Sequence, residues 1–456
     1  MLAVLAGGGC SRDQDEGRSD VPYNVVLVTL DTTRADHLSC YGHTTETSPN
    51  FDALAREGAR FDSAIAQAAS TPVSHASIFT GLNPYQHGVR VIYAASGYRL
   101  AGSIPTLTTV LKERGWHTGA FLSSFTVSEF YGFDRGFDVF DNGLHNPADQ
   151  VLTEGEEGNY RWDLRLNQRR SDQTTARAVE WLGEAKRPFY LWVHYWDPHD
   201  PYEVPPAEVL ARFMRAPRGS EAGQRQRYDA EIFFMDAQFG RLVQVLKEMG
   251  QYDRTIIVVV GDHGQGLGDH GWDQHRILYQ EQLHVPLILR IPGGARGRVV
   301  SQLVRTIDIF PTVLEALGIS TGSTIEGRSL LGLMAGETDS PRIAYADALN
   351  LYDLNAKSVQ TKRPQDDLVY CAMDRQWKLI YRPRHPDKNE LYNLRDDPGE
   401  LHNLYGREST QAERLLAALK EFDGFVDQPF GEGTDAEALE RLRAMGYVLN
   451  DNDSGE

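Results

Sequence analysis

The stretch that decides the fold is Asn24-Val-Val-Leu-Val-Thr-Leu-Asp31, a nearly continuous apolar run that ends in a carboxylate. Far along the chain, Thr255-Ile-Ile-Val-Val-Val-Gly-Asp262-His263-Gly264 has the same character. Such runs, rich in β-branched residues, are typical of parallel strands buried on both faces. Ligands of open α/β sheets collect at the carboxyl ends of strands, so the runs predict one metal site built from Asp31, Asp262 and His263. Taken alone, Asp31 fits equally well a residue that starts a turn or caps a helix.

Strand-like and helical segments alternate after the first run. Further strands are predicted over 189–196 and 285–291, and helices from Pro49 and over 104–114, 172–186, 228–249 and 308–317. This alternation predicts an α/β fold with a mostly parallel sheet sandwiched between helices.

The pattern changes near residue 340. Residues 375–382 alternate like a half-exposed strand, and residues 390–394 are interpreted as its hairpin partner. We therefore expect a main domain over 21–340, a small antiparallel C-terminal subdomain over 341–410 and a helical tail over 411–456.

The composition limits the possible partners. The chain has 456 residues, with 46 Lys and Arg against 64 Asp and Glu, a net charge of −18. A nucleic-acid-binding surface needs clustered positive charge, so we expect no nucleic-acid partner. An anionic small substrate remains compatible, because a metal ion reverses the local field. The three cysteines do not form a disulfide framework.

The N-terminus predicts a leader over 1–20. Met1-Leu-Ala-Val-Leu-Ala-Gly-Gly-Gly-Cys10 resembles the end of a bacterial lipoprotein signal, in which small residues precede a lipidated cysteine. The apolar run is short and no Lys or Arg precedes it, and a start further upstream would explain both departures. We expect a lipid anchor through Cys10 and a location in the bacterial cell envelope, at its periplasmic face or exterior. The alternative is a disordered leader with an incidental cysteine.

A hydroxyl-rich segment, Ser70-Thr-Pro-Val-Ser-His-Ala-Ser-Ile-Phe-Thr-Gly81, is interpreted as a loop that enters a short helix. A helix N-terminus stabilises an anion through its free N–H groups and its dipole. A hydroxyl that binds a divalent cation there has a lowered pKa and can act as a nucleophile. The alternative is an ordinary Ser or Thr helix cap.

These motifs together resemble those of the sulfatase family of the alkaline-phosphatase superfamily. The matching stretches follow one another in family order, at 28–42, 74–81, 261–271, 285–287, 308–312 and 390–404. The resemblance covers nearly the whole chain and implies an alkaline-phosphatase-like fold, a divalent metal ion and hydrolysis of anionic esters.

One departure from the family pattern concerns the nucleophile. Family members carry Cys or Ser, converted to formylglycine, in a Cys-x-Pro-Ser-Arg pattern. Thr71 stands at that position here, Val73 replaces the proline and His75 replaces the arginine. Threonine is not a substrate of the maturation step, so no formylglycine is expected.

Other departures concern the metal and the anion. The family's second Asp is Thr32, its Asn is His263, and its sulfate-contacting Lys aligns with His275. The resulting Asp, Thr, Asp and His resemble the metal ligands of nucleotide pyrophosphatases and of phosphoglycerol or phosphoethanolamine transferases. Imidazole suits Mn²⁺ or Zn²⁺ better than Ca²⁺. We expect one divalent ion, with Ca²⁺ as a further possibility, held by Asp31, Thr71, Asp262 and His263.

The segment after strand 189–196 adds a histidine. His199 aligns with the family's substrate-contacting His, whereas Asp197 and Asp200 could bind a second metal or form a solvated turn. We interpret His75, His199 and His275 as catalytic, with His199 and His275 also binding substrate. Either of these last two protonates the leaving group.

The predicted function is hydrolysis of an anionic ester of a small molecule, a glycan or a lipid headgroup. Thr71 attacks, and water then cleaves the covalent intermediate. A phosphodiester or phosphonate monoester is favoured, because a threonine sulfate is hard to release by attack at sulfur. The alternatives are a sulfatase that uses unmodified Thr71 on sulfated small molecules or glycans, and a non-catalytic envelope lipoprotein that serves as a binding module.

Overall fold

A computed structural model describes residues 22–94, 96–143, 152–154, 160–162, 168–199, 205–321 and 325–422. The predicted leader with Cys10, the candidate metal ligand Asp200 and residues 423–456 of the predicted tail lie outside these ranges. Among the described helices, none is long and apolar enough to cross a membrane.

The strands are bounded as follows: β1 Asn24–Leu30, β2 Ala59–Ile65, β3 His117–Leu122, β4 Val139–Asp141, β5 Leu152–Glu154, β6 Tyr160–Trp162, β7 Phe189–Tyr195, β8 Thr255–Gly261, β9 His284–Val285, β10 Leu287–Arg290, β11 Arg298–Arg305, β12 Ala344–Ala348, β13 Val369–Met373, β14 Trp377–Tyr381 and β15 Glu390–Asn393.

The α-helices are bounded as follows: α1 Pro49–Glu57, α2 Thr71–Thr80, α3 Pro84–His87, α4 Leu107–Glu113, α5 Ser171–Glu184, α6 Ala207–Phe213, α7 Glu221–Glu248, α8 Gln280–Leu283, α9 Ile309–Ala316, α10 Leu331–Ala335, α11 Lys357–Lys362 and α12 Ser409–Phe422.

Nine strands of the described residues form the central sheet, in the order β11-β2-β10-β8-β1-β7-β3-β4, with β9 beside β2. The first strand, β1, is parallel to both of its neighbours, β7 and β8. Leu30 lies opposite Gly261 on one side and Tyr195 on the other. The carboxyl ends of these three strands are therefore level, which places Asp31 and Asp262 side by side.

Helices cover both faces of this sheet. Successive residues of a strand point to opposite faces, and β1 follows this rule. Val25 and Leu27 join a buried cluster that contains Phe79 of α2. Val26 and Val28 join a second cluster that contains residues of α1 and α7. The predicted sandwich of helices around a mostly parallel sheet is confirmed.

A separate antiparallel sheet follows, formed by β12, β13, β14 and β15 of the described chain. The predicted hairpin is present as β14 paired with β15, so the small antiparallel subdomain is confirmed, while its exact limits stay a prediction. One predicted strand, 285–291, is divided into β9 and β10 at Pro286. Proline has no N–H to donate to a neighbouring strand, so the pairing of this strand is interrupted there.

Candidate active site

The carboxyl ends of β1 and β8 bring together Asp31, Asp262 and His263, all buried, with ligand atoms within 4.8 Å of one another. Asp262 Oδ1 accepts hydrogen bonds from the backbone N–H of Thr32 (3.1 Å) and of His263 (2.6 Å). The other oxygen, Asp262 Oδ2, and both carboxylate oxygens of Asp31 accept no hydrogen bond from the described residues. Buried carboxylate oxygens without partners are costly, so this arrangement fits a bound cation.

His263 is held in the tautomer that a metal ligand needs. Its Nδ1–H donates to the carbonyl of Gly264 at 2.9 Å, which leaves the lone pair on Nε2. Burial lowers the pKa of His263 to about 4, so the ring is neutral near pH 7. Nε2 lies 3.2 Å from Oγ1 of Thr71. We call Asp31, Thr71, Asp262 and His263 the strand-end site.

Thr71 is the first residue of α2, followed by Pro72, a residue favoured in the first turn of a helix. The Ser74 hydroxyl donates to the backbone carbonyl of Asp262 at 2.6 Å and so fastens the start of α2 to the end of β8. Ser70 precedes the helix, but its side chain makes no cap hydrogen bond within the described structure. The open N–H groups at this helix start are suited to an anionic group.

The two carboxyl groups differ in their ionisation. Burial raises the pKa of Asp262 well above its usual range, and the neighbouring Asp31 charge raises it further. Burial also acts to raise the pKa of Asp31, but contacts with His194, His199 and His263 lower it overall. Asp262 therefore resists ionisation beside the charged Asp31, and a divalent cation would offset the repulsion between the two carboxylates.

Two further histidines lie beside this site. The rings of His263 and His275 are 4.6 Å apart, and those of His199 and His275 are 5.6 Å apart. His199 is half-buried and stacks on Trp196 at 3.8 Å. His275 donates Nδ1–H to the carbonyl of Ala69 at 3.0 Å. Burial lowers the pKa of His275 well below its usual value, and His263 lowers it further.

His75 lies in the core. Its ring is fully buried against Trp192 and His194, and its Nδ1–H donates to the carbonyl of Thr71 at 2.8 Å. Burial lowers its pKa well below the ordinary value for histidine. The Nδ1 atom is also 3.6 Å from Asp262 Oδ2. In this position His75 supports the start of α2 and the carboxyl end of β8.

Two residues near the site differ from the sequence interpretation. Asp197 accepts from the backbone N–H and the hydroxyl of Ser171 at the start of α5, with the hydroxyl at 2.6 Å. This role in capping a helix replaces the second-metal role considered for Asp197. His194 of β7 was not predicted as a site residue, yet its Nε2 lies 3.4 Å from Asp31 Oδ2. The only sequence signal was a histidine within a buried apolar strand.

A second group of the same residue types lies elsewhere and consists of His37, His43 and Asp229, which we call the loop cluster. His37 Nδ1 is 2.7 Å from one carboxylate oxygen of Asp229, and His43 Nε2 is 3.1 Å from the other. Both oxygens thus have partners, so the hydrogen bonding of the Asp229 carboxylate is complete within the loop cluster.

Buried carboxylates, a neutral imidazole and a helix start at the carboxyl edge of a mainly parallel sheet define a class of metal-dependent ester hydrolases. The chain belongs to the sulfatase family: the family described as Sulfatase matches residues 23–319. A second family, described as N-sulphoglucosamine sulphohydrolase, C-terminal, matches residues 268–422. The resemblance to sulfatases and the prediction of an ester hydrolase are confirmed. Enzymes of this family use a divalent metal.

Two curated relatives illustrate the range of the family. The chain is 25% identical to the N-acetylglucosamine-6-O-sulfatase of Bacteroides thetaiotaomicron, over 92% of this chain and 89% of that protein. It is 27% identical to the multifunctional alkaline phosphatase superfamily protein PehA of Trinickia caryophylli, over 84% of this chain and 91% of that protein.

Solved structures show the same fold. A phosphonate monoester hydrolase of Agrobacterium radiobacter has a TM-score of 0.66 at 23% identity, over 88% of this chain and 94% of its own. A protein in complex with its substrate D-glucosamine-2-N,6-O-disulfate has a TM-score of 0.67 at 22% identity, over 96% of this chain and 100% of its own. Proteins with this fold therefore include one named for phosphonate monoesters and one with a bound sulfated sugar.

Proposed function

We propose that the protein hydrolyses a phosphodiester or phosphonate monoester with unmodified Thr71 as the nucleophile. The observation that carries this proposal is the position of the Thr71 hydroxyl. It lies at the start of α2, 3.2 Å from His263 Nε2, at the edge of the sheet where Asp31 and Asp262 present unpaired oxygens. An ordinary helix cap does not require this arrangement.

Asp31, Thr71, Asp262 and His263 would hold one divalent cation, and the imidazole favours Mn²⁺ or Zn²⁺ over Ca²⁺. When bound, the cation polarises a non-bridging oxygen of the substrate and lowers the pKa of the Thr71 hydroxyl. The chain itself contributes the orientation of these groups and the open N–H groups of α2, which receive the anionic substrate.

Two imidazoles then have different tasks. His275 is neutral near pH 7, because burial lowers its pKa. Its Nδ1–H is held by the carbonyl of Ala69, so its Nε2 is left to accept a proton from the hydrolytic water. His199, which is half-buried and stacked on Trp196, is assigned as the donor to the leaving alkoxide. The phosphoryl ester formed on Thr71 is released by attack of water at phosphorus.

A second candidate activity is sulfuric ester hydrolysis, which the family match and the sulfatase relatives favour. Threonine at the proposed nucleophile position argues against it on chemical grounds, because threonine is not a substrate of the maturation step that makes formylglycine. A formylglycine hydrate releases sulfate by elimination, whereas a threonine sulfate has no second hydroxyl on the same carbon and needs attack at sulfur.

The test compares Thr71→Ala with Ser70→Ala, its neighbour in the sequence, on aryl sulfate, phosphodiester and phosphonate monoester substrates. Thr71→Ala should lower turnover by about 10⁴-fold or more, whereas Ser70→Ala should retain most of it. A slow phosphoester should add its phosphoryl group to Thr71, as detected by mass spectrometry. Turnover that survives Thr71→Ala, or a wide preference for aryl sulfates, would contradict the proposal.

The proposed location is the cell envelope, with an acyl anchor on Cys10. The support is the sequence around Cys10 alone. Cys10→Ala should move the protein from the membrane fraction to the soluble fraction of cells that express it from its native start. A wild-type protein without acyl groups would exclude the anchor.

A further inference from the structure

Three polar side chains lie in a line behind Asp31, on the neighbouring strands β1 and β7. They are Trp192, Thr29 and His194, and each is fully buried. Thr29 and His194 are paired residues in the register of the two parallel strands. Their mutual positions are therefore set by the sheet.

A carboxylate faces Nε2 of His194, which favours a proton on that nitrogen, and the hydrogen bonds along the line agree with this tautomer. The indole N–H of Trp192 can only donate, and it donates to Oγ1 of Thr29 at 3.0 Å. The Thr29 hydroxyl can then use its own proton to donate to Nδ1 of His194, also at 3.0 Å. A neutral imidazole that accepts at Nδ1 carries its proton on Nε2. This Nε2–H faces Asp31 Oδ2 at 3.4 Å.

The last contact is suited to orienting a carboxylate that must bind a cation. A full N–H···O hydrogen bond measures about 2.7–3.2 Å, so the 3.4 Å contact is a longer attraction between the imidazole N–H and the charge. It leaves both Asp31 oxygens without a full hydrogen bond from the described residues. A residue that orients a metal-binding carboxylate and leaves its oxygens free for the ion acts as an outer-sphere partner of that metal ligand.

We infer that Trp192 and Thr29 fix the Nε2–H tautomer of His194, and that His194 is a positioning residue that orients Asp31 for its cation. The inference rests on the metal site of the proposed function. His194 is not proposed as a metal ligand, because an Nε2 that carries a proton has no lone pair for a metal. His263, with its lone pair on Nε2, remains the single histidine ligand of the strand-end site.

The test measures Mn²⁺ binding to the full-length, metal-stripped protein, without turnover. His194→Leu should weaken Mn²⁺ affinity by about 10- to 100-fold. His194→Gln should recover most of this loss, because its amide N–H can donate to Asp31. Thr29→Val removes the hydroxyl with little change in shape and should also weaken binding, whereas Thr29→Ser should bind nearly as well as the wild type.

A second readout separates positioning from ligation. With ¹⁵N-labelled histidine, pulsed electron paramagnetic resonance of the Mn²⁺ protein should detect one directly bound imidazole nitrogen. Two bound nitrogens would overturn the inference, as would equal affinities of Thr29→Val and Thr29→Ser. If His194→Leu does not fold, the comparison of Thr29→Val with Thr29→Ser still tests the inference. If the wild type binds Mn²⁺ and the His194 and Thr29 variants bind it equally well, this inference is wrong. That result does not affect the proposed nucleophile, which is tested separately by Thr71→Ala.

Discussion

The strand-end site and the loop cluster contain the same kinds of residues, yet they differ in what their carboxylates contact. In the loop cluster, each oxygen of Asp229 has an imidazole partner at 2.7 or 3.1 Å. In the strand-end site, both oxygens of Asp31 and one of Asp262 have no hydrogen-bond partner in the described structure. Residue type and proximity alone therefore do not distinguish these two groups. The difference is that the neighbouring carboxylates of the strand-end site have unsatisfied buried oxygens and Asp229 has none.

The largest expected difference is in turnover and metal content. Asp31→Ala should remove the cation and lower turnover by about 10³-fold or more, because a metal contributes several kcal/mol to the transition state. Asp229→Ala should keep the metal and most of the activity. It should instead lower the free energy of unfolding by about 1–3 kcal/mol, since the buried His37 and the half-buried His43 lose their acceptor.

Elemental analysis, steady-state kinetics and urea unfolding of the two variants provide the measurement. Loss of metal from Asp229→Ala, with Asp31→Ala still loaded, would reverse the assignment of the two groups. Equal metal loss in both variants would show that the loop cluster also holds a cation.

This comparison also shows what the sequence could reveal. Asp31 and Asp262 were predictable because each ends a buried apolar run, and parallel strands end at one edge of a sheet. The role of His194 was not predictable, because it depends on the pairing of β1 with β7, which cannot be read from the sequence alone. The same limit applies to Asp197, whose partner Ser171 lies at the start of a helix that packs nearby only in the folded chain.

The fold, like the site, was predictable only in part. The alternation of strands and helices predicted the layered α/β architecture, because hydrophobic periodicity reports which faces are buried. The ends of elements were less predictable: α7 begins at Glu221, earlier than the predicted 228, where Ser220 caps it by accepting from the N–H of Gly223. Polar residues in that first part of the helix conceal its periodicity.

A smaller effect is expected on thermal stability when metal is removed. Chelation should lower the melting temperature of the wild type, because Asp31 and Asp262 then lose the counter-charge that allows both buried carboxyl groups to be ionised side by side. A cation at about 100 times its dissociation constant stabilises the folded state by about 2.7 kcal/mol. Calorimetry with and without chelator measures this effect. Chelator should lower the melting temperature of Asp229→Ala as it does that of the wild type, and should leave that of Asp31→Ala unchanged. A wild type whose melting temperature does not change with chelator would contradict the cation site.

The smallest expected effect is on the pH dependence of stability, and it belongs to the loop cluster. The hydrogen bond with Asp229 raises the pKa of His43 above its ordinary 6.5, although burial opposes the shift. The folded state therefore holds a proton that the unfolded state releases. This contribution is fully present below about pH 6.5 and is lost as the pH rises through the raised pKa of the folded protein.

At acidic pH, the loop cluster stabilises the folded state less, and for a different reason. Burial acts to raise the pKa of Asp229, but its bonds with His37 and His43 lower it overall, so its contribution fades as the pH falls below about 4. His43→Gln should flatten the alkaline decline in unfolding free energy. His402→Gln, at a histidine whose side chain is 79% exposed, is the matched control and should leave the decline unchanged. An alkaline decline that persists in His43→Gln would show that the loop cluster is not its source.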